Sequence, residues 1–369
     1  MMFKQITAGY SRSLALFDDL SVWAWGNIGR TGLTVAAGDP LFAICGSGPL
    51  EIGHNRFAQP VPQRLNPQVP FQCVDDAAVE LLALTPAGQV SRLATAASVT
   101  DGAAAELISG LTGGVRDLCS NETARYALDV FGRVWSWGGN FQGQLGRTEA
   151  VHLNQPPAVI EGLPPVIALA GGQNHVLALT DSGEVWSWGA NAAGQLGLGN
   201  LRPAYKPERI ELDTAVIAIA SGDTHSLAID DEGHLHAWGS NHCGQLGPLG
   251  LGISDRSISR PVRVQLPFGV RQAGAGRHFS VALNEHREVF AWGWNGFKQL
   301  GEHSLESTSD PLRIAGLGRI ETISVGPFHA LALDDKDQNL YAWGDNRNAA
   351  CGLPVSQPAV GRPHRITFV

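Results

Sequence analysis

The chain has 369 residues, of which 44% are hydrophobic and only 16% are charged, and it contains 45 glycines and 21 prolines. A single hydrophobic core usually stops growing near about 250 to 300 residues, so this length predicts two domains or a repeat architecture, and the composition favours a turn-rich all-β protein over a disordered or helical one. The net charge is −8 without a basic cluster. The attraction that supplies most of the affinity for a phosphate backbone is therefore missing, and we expect no nucleic-acid partner.

The N-terminal stretch MMFKQITAGYSRS lacks the basic-then-apolar order of a secretion signal. No apolar run reaches the roughly 18 residues that a membrane helix needs. We therefore expect a soluble, cytoplasmic protein without a membrane partner, although export by a specialised system stays open. The cysteines are odd in number and form no CxxC pair, which fits neither a disulfide framework nor a zinc site and predicts free thiols: Cys45, Cys73, Cys119, Cys243 and Cys351.

One short phrase recurs along the chain from its first 30 residues to its last. It reads WAWGN, WSWGGN, WSWGAN, HAWGSN, FAWGWN and YAWGDN, and its shared glycines are Gly26, Gly138, Gly189, Gly239, Gly293 and Gly344. The spacing is close to 51 residues except for the first gap, which is about twice as long. A degenerate copy without tryptophan, LLALTPAGQVSRL at Leu81 to Leu93, lies in that gap. The sequence therefore holds seven copies.

Each copy contains four short segments of alternating residues separated by Gly and Asp turns, as in PERIEL, VIAIASG, HSLAI and HLHAWG. Alternation at period two predicts β-strands, and four strands repeated at this period are typical of a propeller blade. A blade buries both faces only when neighbours flank it. We therefore predict an all-β fold, a single seven-bladed β-propeller domain over residues 1–369.

The two ends of the chain suggest how the ring closes. The chain starts at FKQITAG without the Pro-led strand that begins the other copies, and it ends with such a strand at Pro363 to Val369. We predict that this last strand pairs into the first blade and closes the ring. Two segments depart from the repeat: a long insert in the first copy, Ile28 to Pro60, and a smaller extension, Gly247 to Ser259. A long insert in a compact domain is usually functional or disordered.

The repeat resembles the regulator of chromosome condensation repeat family, whose copies read roughly AGxxHxLAL, a DxG turn and VWxWGxNxxGQLG. Ala170 to Gly199, AGGQNHVLALTDSGEVWSWGANAAGQLGLG, carries nearly the whole pattern. The resemblance implies a seven-bladed propeller that binds other proteins. The WD type, which shows a Trp-Asp pair, and the kelch type, which shows a Gly-Gly doublet in each blade, fit less well.

No motif indicates catalysis or a cofactor. His175, His225 and His329 share one slot in three copies, but equivalent positions in adjacent blades lie about 10 Å or more apart, too far to share one metal ion. A structural hydrogen bond to a neighbouring turn is the better interpretation. DKDQN at Asp335 to Asn339 lacks the glycine and the final acid of a calcium loop. We find no GxxxxGK[ST], HExxH or GxSxG and predict a protein that is not an enzyme and takes no metal or small-molecule cofactor.

The variable positions of the repeat indicate a binding face. The two residues before the histidine slot differ in every copy, and strand counting places them on the same face as the loop after WGxN. Residues at the tips of loops are not held constant by packing and are therefore free to carry function. Aromatic and arginine side chains are favoured at the centres of interfaces. The predicted partner-binding residues are Tyr10, Phe141, Asp223, His242, Arg277, His278, Trp294, Phe297, Phe328 and Arg347.

Two functions follow from these features. The first is a rigid disc that presents this variable face to a protein partner, where the acidic charge suits an inhibitor or immunity-type protein. The second is implied by the family resemblance alone: guanine-nucleotide exchange on a Ran-like small GTPase, with the insert at Ile28 to Pro60 as the wedge. We could not match that insert to the family residue by residue. The identity of the partner is not encoded in any motif.

Overall fold

A computed structural model of the protein describes residues 2–9, 12–19, 21–27, 58–65, 73–77, 80–93, 106–147, 152–250 and 256–368. These residues form seven four-stranded antiparallel sheets. Their first strands line a common centre, and each contacts the first strands of the neighbouring sheets, the last with the first included. The predicted seven-bladed β-propeller is confirmed.

Within every blade the four strands follow chain order from the centre to the rim. Blade 1 comprises β1 (Phe3–Ala8), β2 (Arg12–Phe17), β3 (Val22–Asn27) and β4 (Ala58–Leu65), and blade 2 comprises β5 (Cys73–Ala77), β6 (Glu80–Leu84), β7 (Val90–Leu93) and β8 (Glu106–Leu107). Blade 3 comprises β9 (Val115–Ser120), β10 (Ala124–Asp129), β11 (Val134–Asn140) and β12 (His152–Val159). The degenerate second copy thus forms a blade, with β6 and β7 where the sequence predicted strands.

The other four blades have the same plan. Blade 4 comprises β13 (Val166–Gly171), β14 (His175–Thr180), β15 (Val185–Gly189) and β16 (Ala204–Arg209), and blade 5 comprises β17 (Val216–Ser221), β18 (His225–Asp230), β19 (Leu235–Ser240) and β20 (Ser257–Arg263). Blade 6 comprises β21 (Val270–Ala275), β22 (Phe279–Asn284), β23 (Val289–Trp294) and β24 (Ser307–Arg313), and blade 7 comprises β25 (Ile320–Val325), β26 (His329–Asp334), β27 (Leu340–Asp345) and β28 (Ala359–Arg365).

The second strand of a blade is the most deeply buried. In blades 1 and 3 to 7 every residue of this strand is buried. The strand lies between two neighbouring blades and therefore has no solvent face, which explains why its sequence is a nearly continuous run of apolar and small residues, as in HSLAID.

Adjacent blades are joined by a repeated hydrogen-bond pattern around a buried tryptophan. The indole Nε1 of Trp238 in blade 5 donates to the carbonyl of Gln195 in blade 4 at 2.9 Å, and Ser226 Oγ donates to the same carbonyl at 2.8 Å. Five joints share the indole bond, at 2.8 to 2.9 Å: Trp25 to Ala350, Trp188 to Gln144, Trp238 to Gln195, Trp292 to Gln245 and Trp343 to Gln299. All five indoles are fully buried.

The three histidines of the repeat complete this pattern. His175 Nε2 lies 3.0 Å from Ser226 Oγ on the next blade, and His225 and His329 contact Ser280 and Ser13 in the same way. Because each serine donates its own proton to a carbonyl, it accepts from histidine Nε2–H. Burial lowers the pKa of His175 and His225 to about 3 and that of His329 to about 4. The histidines are thus neutral and structural, although they bond to a strand of the next blade and not to a turn.

The predicted closure of the ring by strand exchange is wrong. The last strand, β28, pairs with β27 of its own blade, and blade 1 has its own outer strand, β4. The Pro-led segment at the start of each sequence copy is the outer strand of the preceding blade, so no blade needs a strand from elsewhere. The joint between blades 7 and 1 uses the same bonds as the others, from Trp25 to the Ala350 carbonyl and between His329 and Ser13.

The side chain of Phe368 packs against blade 1 at this joint. The Phe368 ring meets four aromatic rings of blade 1 edge-on, with centroids 5.2 to 5.9 Å apart: Phe3, Phe17, Trp23 and Trp25. Such edge-to-face pairs add to the stabilisation from burial alone.

Each of the two departures from the repeat lies at least partly outside the described residues. The insert Ile28 to Pro60 enters them only at residues 58–60, which begin β4, and the extension Gly247 to Ser259 is interrupted at 251–255. In the described part of the chain, no helix is long and apolar enough to span a membrane. Cys119, Cys243 and Cys351 are free thiols.

Replacing Trp188 with Ala should lower the free energy of unfolding by about 3 to 5 kcal/mol, because it leaves a cavity between blades 3 and 4. Trp188→Phe keeps most of the ring and loses the indole donor, so we expect a loss of about 1 kcal/mol, since the Gln144 carbonyl retains a 2.6 Å bond from Tyr126 Oη. Denaturation in guanidinium chloride measures both. A loss below about 1 kcal/mol in the alanine variant would contradict the packing.

Replacing Phe368 with Ala should lower the free energy of unfolding by about 2 kcal/mol, less than for a fully buried phenylalanine because Phe368 is half-buried. Leu305→Ala, at a side chain that is 49% exposed, serves as the control and should change stability by less than about 0.5 kcal/mol. Thermal unfolding compares the two variants. Equal melting temperatures for wild type and Phe368→Ala would show that the C-terminal ring does not seal the joint.

Candidate functional site

Two sets of loops share one face of the propeller, called here the tip face. One set joins the first and second strands of each blade, and the other follows the third strand. The backbone N–H of Trp294, from the second set, donates to the His278 carbonyl of the first set at 2.8 Å, and Asp345 donates to Phe328 at 2.9 Å. Blades 3, 4 and 5 repeat this bond. The strand counting that placed both loops on one face is therefore confirmed.

Six of the predicted residues meet on blades 6 and 7 and form what we call the tip cluster: Arg277, His278, Trp294, Phe297, Phe328 and Arg347. Three edge-on ring contacts link its aromatic members, with centroid distances of 6.4 Å for His278 and Trp294, 5.3 Å for Trp294 and Phe297, and 5.9 Å for Phe297 and Phe328. The aromatic side chains are half-buried, so their rings are held in place and still reach solvent.

Two arginines stack on this aromatic row. The guanidinium carbon of Arg277 lies 5.5 Å from the centroid of the Phe328 ring, and that of Arg347 lies 3.9 Å from the Phe297 centroid. Each arginine also pairs with an aspartate. Arg277 Nε lies 3.1 Å from Asp223 Oδ2, and Arg347 Nη2 lies 2.8 Å from Asp345 Oδ2. Stacking and pairing together fix the orientation of both guanidinium planes.

Burial shifts two titratable groups at the cluster. It raises the pKa of Asp223 to about 6, where Arg277 opposes the shift and Glu122 adds to it. Burial, with the nearby charges of Arg277 and His242, lowers the pKa of His278 to about 4. His278 is therefore a neutral aromatic ring near pH 7, and Asp223 changes charge close to physiological pH.

The other predicted residues lie apart from the cluster or outside the described residues. His242 is exposed on blade 5, near enough to His278 to affect its pKa. Phe141 is 38% exposed on blade 3, where its ring lies over Gly139. Tyr10 is outside the described residues. Sequence reasoning missed Asp345, the aspartate that anchors Arg347.

Sequence reasoning also missed a cavity of about 190 Å³ at the centre of the tip face, lined by residues of all seven blades. Asp75, Glu122 and Asp223 give this central mouth an acidic character. The blades approach so closely here that a Cβ at Gly222 would collide with the carbonyl oxygen of Gly276. Across the described ranges, no group of three or more His, Cys, Asp or Glu side chains is arranged to hold a metal ion.

The chain is similar in sequence to several known proteins. A family model described as the RCC1-like domain matches residues 44–369. The chain is 36% identical over 232 residues to the E3 ubiquitin-protein ligase HERC2 of Homo sapiens, covering 61% of this chain and 5% of HERC2. It is 33% identical over 247 residues to the ultraviolet-B receptor UVR8 of Arabidopsis thaliana, covering 66% of this chain and 56% of UVR8. The chain thus spans less than two thirds of either relative.

A solved structure shows the same fold over almost the whole chain. The crystal structure of human WBSCR16 superimposes with a TM-score of 0.77 at 24% identity, covering 94% of both chains.

The raised pKa of Asp223 predicts a pH-dependent contribution to stability. The folded state binds this proton more tightly than the unfolded state, so the contribution is fully present below about pH 4 and is lost as the pH rises through about 6. Between pH 4 and pH 7.5 the free energy of unfolding of the wild type should therefore fall by about 2 kcal/mol relative to that of Asp223→Asn. Urea denaturation across this range measures it, with Asp181→Asn as the control, and a constant difference would contradict the shift.

Proposed function

The chain belongs to the RCC1-like domain family, and we propose that it is a non-enzymatic protein-binding propeller whose partner docks on the tip face, centred on the tip cluster. The observation that carries the proposal is the concentration of aromatic and arginine side chains on two adjacent blades, in van der Waals and stacking contact with one another. Tryptophan, tyrosine and arginine dominate the binding energy of protein interfaces because they offer large contact areas at low entropic cost.

A buried amide beneath the cluster supports this proposal. Gln144 of blade 3 donates through Nε2 to Thr123 and Asn174, the residues just before the histidine slots of blades 3 and 4. The equivalent amide of blade 6, Gln299, is fully buried and its Nε2 has no hydrogen-bond partner among the described residues; His278 and Phe328 occupy the positions that Thr123 and Asn174 hold around Gln144. An unsatisfied buried donor costs about 1 to 3 kcal/mol. The aromatic tips are thus present at a cost to stability.

The loops that follow the third strands of blades 6 and 7 also depart from the repeat in their backbone conformation. The sequence NxxGQLG places a glycine with positive φ in blades 3, 4 and 5, at Gly143, Gly194 and Gly244. Blades 6 and 7 hold Lys298 (φ 67°) and Ala349 (φ 61°) at this point. Side chains in the left-handed region cost roughly 1 kcal/mol or more and concentrate at functional sites. Both loops that contribute to the tip cluster therefore retain strain that other blades avoid.

We propose inhibition as the consequence of binding, since a rigid disc with pre-oriented side chains suits a protein that covers a surface of its partner. The acidic net charge of −8 is consistent with this role. Nucleotide exchange on a Ran-like GTPase depends on the insert at Ile28 to Pro60, most of which lies outside the described residues, and stays a prediction from sequence resemblance. Inhibition and nucleotide exchange are distinguished by assaying the isolated partner in the presence of one equivalent of this protein. Loss of the partner's activity supports inhibition, whereas accelerated release of guanine nucleotide supports exchange.

Photo-cross-linking in the source cells identifies the partner and tests the face. Benzoylphenylalanine at position 297 should cross-link to a protein partner, because Phe297 lies within the tip cluster. The matched control is position 131, where Phe131 is an equally aromatic but 67% exposed residue in a turn on the opposite face. Cross-links from position 131 alone would place the partner on the wrong face and overturn the proposal.

Replacing Trp294 or Arg277 with Ala should weaken binding of that partner by about 2 kcal/mol or more, because each removes a central contact of the cluster. The variants should remain folded, since the buried tryptophan joints hold blades 5, 6 and 7 together. Asp181→Ala and Asp231→Ala, in turns on the opposite face, should leave the affinity unchanged. Calorimetric titration measures all four, and loss of affinity only in the two aspartate variants would reverse the assignment of the face.

A further inference from the structure

The two ion pairs of the tip cluster have a common orientation. The Asp223 and Asp345 side chains are only 13% and 8% exposed, whereas the side chains of their partners, Arg277 and Arg347, are 37% and 41% exposed. The carboxylates therefore lie beneath the guanidinium groups, and each pair turns its positive end toward solvent. At each of these two pairs, an approaching protein partner meets the N–H donors before the carboxylate.

These donors are not exhausted by the aspartates. Asp223 contacts Arg277 through Nε, and Asp345 contacts Arg347 through Nε and Nη2. Among the described residues, neither Nη atom of Arg277 nor the Nη1 atom of Arg347 donates a hydrogen bond. An arginine has five N–H donors in a planar fork that matches a carboxylate, so each side chain retains the means to bind a second one.

The aromatic row links the two arginines. Arg277 and Arg347 stack on Phe328 and Phe297, whose ring centroids are 5.9 Å apart. The edges of these rings and of Trp294 provide apolar surface directly beside the donors. Because the guanidinium planes are already fixed, a bound anion costs little additional side-chain entropy.

We infer that the tip cluster recognises a loop of the partner protein that carries an Asp or Glu side chain next to an apolar one. The carboxylate binds the outward N–H groups of Arg277 and Arg347, and the apolar side chain packs against Phe297 and Trp294. This inference rests on the proposed function and specifies its chemistry.

The charge beneath the arginines favours a carboxylate over a phosphate. Asp223 and Asp345 neutralise most of the charge of the two guanidinium groups, so the cluster suits a single negative charge. A phosphate group carries nearly two negative charges at neutral pH and would be repelled by both buried carboxylates. A basic loop would face the positive ends of both pairs.

The experiment follows the indole N–H signal of Trp294 in ¹H–¹⁵N spectra of the full chain, assigned by its absence in Trp294→Phe. The probes are four acetylated and amidated peptides, Gly-Leu-X-Leu-Gly, in which X is Glu, Gln, Lys or phosphoserine. The Glu peptide should shift the signal at millimolar concentration, and the Gln peptide should bind about tenfold more weakly because it cannot form charge-assisted hydrogen bonds.

Arg277→Gln and Arg347→Gln should each weaken the Glu peptide about tenfold, whereas Arg202→Gln, at an exposed arginine of blade 4 on the same face, should leave its affinity unchanged. Tighter binding of the Lys or phosphoserine peptide, or the absence of any shift, overturns the inference. If cross-links from position 297 persist in that case, the protein-binding function stands and only the proposed chemistry is wrong. If those cross-links are also missing, both fail.

Discussion

The hydrogen bond from a buried indole to a carbonyl of the preceding blade is the contact on which the propeller depends. It helps to satisfy a buried backbone acceptor, to which a hydroxyl group also donates at four of the five joints, and it sets the distance between blades through the size of one ring. The carbonyl belongs to the loop that follows the third strand, which also carries tip residues. Trp343 thus ties the loop of Trp294 and Phe297 to blade 7 through Gln299. The joint that holds the ring together also positions the candidate site.

Much of the fold is legible in the sequence because the joint is made by residues that must recur. The tryptophans, the glycines and the period of about 51 residues are each required in nearly every copy, and together they predict seven blades and the shared face of the tips. The closure could not be predicted in the same way. Sequence copies and structural blades are offset by one strand, and the Pro-led segment alone does not show whether it belongs to the blade before it or after it.

The site was predicted only in part, since its key contacts run between blades. Asp223 and Arg277 occupy the same slot in adjacent copies, and opposite charges in one slot are a signal that could have indicated their pairing. Asp345 occupies the slot that holds Trp294 in the preceding copy. Its pairing with Arg347 depends on the arginine two residues later, which is not part of the repeat pattern. The unsatisfied amide of Gln299 depends on burial, which no sequence pattern reports.

The contiguous blades also determine the order in which this protein is able to fold. Most joints link residues about one repeat apart, such as Trp238 and Gln195, which are separated by 43 residues, whereas the bond from Trp25 to Ala350 spans 325. Contacts between distant residues carry the larger loop-closure cost and form later. During synthesis the blades therefore assemble in sequence behind the ribosome, while the Trp25 side of blade 1 stays uncovered until the seventh blade emerges. The surface that will form the joint between blades 7 and 1 is therefore the part of the nascent chain most exposed to aggregation and to chaperones, although in the folded protein this joint resembles the others.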